Sequence, residues 1–273
     1  MCGMRIPSIA LSLLAIAGSA HADLPMLDDE PWLGSFIAFK DRDARFLLSS
    51  KGNVMFVPLK KDGSPIAVTN PIKVEFDIYE TLPDGKNVRK NIDDSAFTSD
   101  SPATLDPEKP VTIHGVVTGG AKFEITVSGG KNTVGLSGRI TDKGTITNPL
   151  HLSISIGFAP YKSSDIENDK QQKNFEKKAK QDEIKLDIPG SQSTRLDFLD
   201  AMNPAEKVPD GFSAAEIRTE GYGALRWNLT ASPNSILRFE DTRLQPLWKG
   251  FTITWQPKEG ADPAAEKITI EHN

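Results

Sequence analysis

Val111-Thr112-Ile113-His114-Gly115-Val116-Val117-Thr118-Gly119-Gly120-Ala121-Lys122-Phe123-Glu124-Ile125-Thr126-Val127-Ser128-Gly129-Gly130 opens the stretch that decides the fold. Val111, Ile113 and Val117 fall on one face of an extended chain, Thr118-Gly119-Gly120 turns it, and Phe123, Ile125 and Val127 answer from the next strand. The alternation resumes with Val134, Leu136 and Ile140, breaks at Asp142-Lys143-Gly144, and returns with Leu150, Leu152, Ile154, Ile156 and Phe158. A period of two over such a length means strands with one face on a core and one in water. Short connections rich in Gly, Asp and Ser join them as an antiparallel meander.

The same signal runs upstream. Segments 45–50 and 54–59 flank Lys51-Gly52-Asn53, and segments 73–79 and 87–92 flank Pro83-Asp84-Gly85-Lys86, so both pairs read as hairpins. Residues 165–182 differ. They hold neither Gly nor Pro, Ser164 and Glu167 fit a capping box, and Asp169–Lys173 and Glu176–Lys180 stand at i,i+4 with the acid first. This predicts an exposed charged helix in which only Ile166, Phe175 and Ala179 offer apolar contact.

The chain also repeats itself. Pro149–Pro160 aligns without gaps against Pro246–Pro257, with the apolar alternation in phase. Phe123, Ile125 and Val127 match Leu225, Trp227 and Leu229, and Val74, Phe76 and Ile78 match Ile184, Leu186 and Ile188. Order and spacing agree at three places, so the expected fold is all-β: two tandem β-sandwich-like units from an internal duplication, joined by the charged helix. One large β-sandwich or jelly roll is the alternative. The implied divisions are 1–22, 23–160, 161–183 and 184–273.

Residues 1–22 carry Arg5, the apolar run Ile9–Ala17 and the small residues Ala20-His21-Ala22, the pattern of a signal peptide cleaved after Ala22. The expectation is an exported, periplasmic or extracellular chain beginning at Asp23, not inserted in a membrane. Cys2, the chain's one cysteine, would leave with the leader, so disulfides and thiolate chemistry are excluded from the remainder. The formal charge of −5 grows more negative once Arg5 is gone, without the basic footprint of a nucleic-acid binder.

Signatures of catalysis are missing. His114 and His151 sit at outward strand phases, and with His272 they form no metal-ligand spacing. Gly135-Leu136-Ser137-Gly138 lies within a strand and is not a nucleophile elbow. Asp165, Glu167, Asp169 and Glu176 occupy the acidic positions of a calcium loop, but Lys170 stands where its turn requires Gly. The sequence singles out no catalytic residue, so that assignment stays open, and no cofactor or metal is expected. Trp227 and Trp255 are in phase with the core, whereas Trp248 aligns with outward His151 and is the candidate surface-binding residue. These features point to an exported non-enzymatic binding or structural β-protein, acting on an unknown protein or glycan ligand through an edge strand or an aromatic patch on the second unit. The alternatives are a carbohydrate-active hydrolase or carbohydrate-binding protein with an aromatic-lined site, and a periplasmic assembly or adhesion component.

Overall fold

A computed structural model describes residues 24, 26–28, 32–66, 71–161, 168–202, 204, 208, 211–223, 225–240 and 250–273. The expected cleavage site lies outside them. So do Trp248 and the Ser164/Glu167 cap.

The first half forms β1 (Ser35–Lys40), β2 (Ala44–Ser49), β3 (Val54–Pro58), β4 (Ile72–Thr81), β5 (Asn87–Arg89), β6 (Thr98–Ser99), β7 (Val111–Val116), β8 (Lys122–Gly130), β9 (Thr133–Asp142) and β10 (Leu150–Phe158). Helix α1 (Asp169–Ala179) follows, then β11 (Glu183–Asp187), β12 (Thr194–Leu196), α2 (Phe198–Met202), β13 (Ala214–Arg218), β14 (Arg226–Ala231), β15 (Ser235–Phe239), β16 (Phe251–Pro257) and β17 (Ile268–His272). The protein is all-β, with two large antiparallel sheets. The first has eight strands in the order β1-β2-β3-β4-β10-β16-β15, with β5 added on β4; the second has nine in the order β12-β11-β13-β14-β17-β9-β8-β7-β6.

The two units are the halves of the chain on either side of α1, and they are woven together. Each contributes strands to both sheets: β10 pairs with β16 in one, β9 with β17 in the other. Their buried side chains form one core, running from Phe36 and Phe56 through Ile125 and Ile154 to Trp227, Ile253 and Trp255. Strands of both units therefore pack around a shared core. The repeat survives best at β10 and β16, where Ile156 pairs with Ile253, its own counterpart in the sequence alignment, and the flanking pairs Ile154–Trp255 and Phe158–Phe251 are counterparts of each other. A local two-fold relation follows. The aligned pair β8 and β14 also share a sheet, whereas β4 lies in the first sheet and β11 in the second.

Trp227 and Trp255 are fully buried, as their phase predicts. One turn differs from expectation. Gly129 and Gly130 belong to β8, and Lys131-Asn132 makes the turn with Asn132 at φ 59°. Asn tolerates that left-handed conformation, while Gly129 is needed because the Pro107 carbonyl oxygen comes within 2.3 Å of where a Cβ would stand.

Helix α1 is capped by Asn168, whose side chain accepts from the Lys170 and Gln171 N–H groups while Gln171 reaches back to the Asn168 N–H. A capping box of Asn168 and Gln171 thus opens the described helix. Glu176 accepts from Gln172 at 2.8 Å, and neither Asp169–Lys173 nor Glu176–Lys180 forms an ion pair. Phe175 and Ala179 are buried, and Phe175 meets Tyr161 edge-on with ring centroids 5.1 Å apart. The helix is therefore docked, not merely a connector.

Candidate functional site

Alternation in β4 turns Val74, Phe76 and Ile78 into the core and leaves Lys73, Glu75, Asp77 and Tyr79 on the opposite face of the first sheet. Register then fixes their neighbours. Glu75 lies opposite Ser155, Asp77 opposite Ser153 and Tyr79 opposite His151 on β10, and Arg89 of β5 flanks Tyr79 on the other side. Beyond β10, Ser155 is level with Thr254 of β16, which is level with Arg238 of β15. Glu240 follows β15, its N–H bonded to the Thr252 carbonyl at 2.9 Å.

The middle of this face is a buried polar floor of Asp77, Ser153 and Ser155. Ser155 donates to Asp77 Oδ2 at 2.7 Å, and the Arg89 guanidinium approaches Asp77 Oδ1 at 2.5 Å and Glu75 at 3.6 Å. The pairing is asymmetric, since the Asp77 side chain is 4% exposed and that of Arg89 56%. A half-exposed guanidinium contributes little by itself, but removing it would strand a buried carboxylate. Beside the carboxylates, Tyr79 and His151 stack with centroids 5.4 Å apart and ring planes 19° from parallel. Burial holds the His151 imidazole below its ordinary pKa, and burial followed by the charge of Asp77 raises the Tyr79 phenol. Glu240 is also held above the usual carboxylate range, first by desolvation and then by Asp77. Both rings therefore stay neutral at pH 7, next to a charged trio.

His151 also rims a cleft of about 730 Å³ at the adjoining end of the sheets. Thr81, Asn87, Arg139, Asp142 and Gln256 supply polar groups there, and Leu150, Leu152, Ile140 and Pro257 supply apolar walls. The platform and the cleft are continuous through His151. Together they form a shallow polar face with two stacked rings at its edge, leading into an amphipathic recess.

Other buried polar groups are structural. Tyr161 donates to Asp182 Oδ2 at 2.7 Å and the Glu220 N–H donates to Oδ1 at 2.8 Å, at the foot of α1. Burial there pushes the Asp182 carboxyl up to about 6. His272 is buried against Trp227, with Nε2 2.8 Å from Asp41 Oδ2, tying β17 to the β1–β2 turn. It is not a surface histidine. His114, by contrast, is partly exposed, 3.4 Å from the exposed Asp100. Among the described residues no group of His, Cys, Asp and Glu has the arrangement of a metal site.

The edge-strand route is obstructed at both ends of the first sheet. At β1 the Ala38 N–H and Phe36 carbonyl bond to Thr104, and at β15 the N–H and carbonyl of Leu237 both bond to Phe212. These contacts consume backbone groups that an added strand would need. Trp248 lies outside the described residues. The residues of the polar platform went unread in the sequence because outward charges on one strand look like a solvated face; only the register of β10 and β5 brings Ser155, His151 and Arg89 beside Asp77.

No family model and no curated protein matches the chain. Among solved structures, an Escherichia coli K12 protein assigned provisionally as an aldose 1-epimerase superposes with a TM-score of 0.45 at 10% identity, covering 87% of this chain and 98% of its own. The Slr1438 protein of Synechocystis sp. PCC 6803 gives 0.47 at 10% identity, covering 86% and 94%. The functional reading below rests on the geometry of this chain alone.

Proposed function

We propose that the chain is an exported binding protein whose ligand is a polyhydroxylated molecule of the carbohydrate class, received on the polar face of the first sheet. One observation carries this reading: the charged group of Asp77, Glu75 and Arg89 stands beside the parallel rings of Tyr79 and His151. Exposed Glu75 and Arg89 offer sugar hydroxyls a carboxylate acceptor and guanidinium donors, buried Asp77 holds the guanidinium from beneath, and the C–H face of a sugar ring rests on neutral aromatic planes. The Ser155 hydroxyl holds Asp77 in place before any ligand arrives. The adjacent cleft gives a longer glycan somewhere to extend.

A second reading, turnover in place of simple binding, is favoured by Glu240. Burial and then the charge of Asp77 hold Glu240 above the usual carboxylate range, while Asp77 itself is ion-paired to Arg89, so two neighbouring carboxyl groups sit in unlike environments, as the acid and the base of a glycoside hydrolase do.

Both readings are tested by probing a glycan array with the mature chain and with Asp77→Ala and Tyr79→Ala variants. Retention of a saccharide by the wild type and its loss in both variants is the expected result. Retention unchanged in both variants, or none by any form, would overturn the proposal. Release of product from the retained saccharide would decide between the two readings.

A further inference from the structure

Helix α1 presents a second surface with its own chemistry. At 100° per residue, Lys170, Lys173, Lys177 and Lys180 fall within a quarter-turn arc, opposite buried Phe175 and Ala179. All four are exposed, and none forms an ion pair with a described residue. Lys178, on the flank, reaches Glu220 at 3.7 Å. The acids of the helix, Asp169 and Glu176, lie toward the other flank. In a chain of net charge −5, this concentrates positive charge on one helix face.

We infer that α1 is a docking surface for an anionic phospholipid bilayer, the solvent-facing lysines lying along its headgroups. The row from Lys170 to Lys180 spans roughly 15 Å at the helical rise, a straight and one-sided line suited to a plane of charge. The residues are lysines without an arginine among them. Lysine acts as a hydrated point charge, whereas recognition of discrete sulfate or carboxylate groups draws on the planar guanidinium fork. The face carries no aromatic ring that could stack on a sugar or insert among acyl chains, so the attachment is electrostatic and peripheral. Its rigidity comes from the Asn168–Gln171 capping box and from Phe175 packed on Tyr161 and Phe198, which present the lysines in a fixed row.

The test is co-sedimentation of the full mature chain with vesicles of phosphatidylcholine alone and of phosphatidylcholine with 30% phosphatidylserine, at low ionic strength and at 0.5 M NaCl. Binding to the anionic vesicles, its loss in salt, and a drop of about thirtyfold in Lys173→Gln/Lys177→Gln are expected, each lysine near a charged bilayer contributing about fivefold. Both positions are exposed, so the double variant keeps the fold, which circular dichroism verifies. Equal binding to neutral vesicles, no binding, or binding indifferent to the double variant would overturn the inference. So would retention on heparin without retention on vesicles, since that assigns the lysines to a soluble polyanion.

Discussion

Replacing Asp182 by Asn should stabilise the protein at neutral pH. Asp182 is 5% exposed, and burial holds its carboxyl at about 6 against an ordinary 3.8. A folded-state pKa above the unfolded one means that the native state keeps a proton the unfolded state has already released. Its stability is therefore greatest below pH 4 and declines as the pH rises through 6, after which the loss is complete. At about 1.4 kcal/mol per decade the full decline is about 3 kcal/mol, an upper figure for a group that also accepts two hydrogen bonds. Asn keeps one oxygen for the Glu220 N–H, and its amide can donate to Tyr161, whose hydroxyl rotates to accept. Urea unfolding at intervals from pH 4 to 8 should give curves that nearly coincide at pH 4 and separate by 1–3 kcal/mol at pH 7, the variant being the more stable. A separation that does not change with pH, or a variant less stable at pH 7, would refute the burial argument. Asp182→Ala is the contrast: it removes the acceptor of the Glu220 N–H and should destabilise at every pH.

Trp227→Ala removes a fully buried ring packed edge-on against Phe56 at 5.6 Å and should cost about 3–5 kcal/mol in chemical unfolding. A fragment spanning 182–273 should remain largely unfolded by circular dichroism, because β16 and β17 would lose their β10 and β9 neighbours. Arg89→Ala should lower stability by about 1–3 kcal/mol, through the buried Asp77 carboxylate that it leaves unpaired. Thermal melts with and without a chelator should coincide, and a fall of several degrees on chelation would reveal a structural metal.

The strands were legible in the sequence because alternation reports burial directly. Val111, Ile113, Phe123, Ile125 and Val127 all point to the core, as do Trp227 and Trp255. Which sheet each strand joins was not legible, since an amphipathic strand is equally content on either side of a two-sheet core. That is why β4 and β11 align as sequences yet lie in different sheets. The helix was legible from its composition, and the apolar Phe175 and Ala179 in an otherwise charged stretch mark its buried side. The candidate site was the least legible part. Asp77 looks like any outward charge on a strand until Ser155, far away in the chain, is placed 2.7 Å from it. His272 was hidden for a similar reason, its partner Asp41 lying at the other end of the sequence.

The central claim is that the Asp77 platform receives a saccharide, and its most direct measurement is NMR titration of the mature chain with a saccharide retained on the array. The account predicts saturable shifts centred on the Arg89 Nε–H, the His151 ring and the Tyr79 ring, with resonances of α1 undisturbed. Shifts centred elsewhere, with those three groups unmoved, would contradict it.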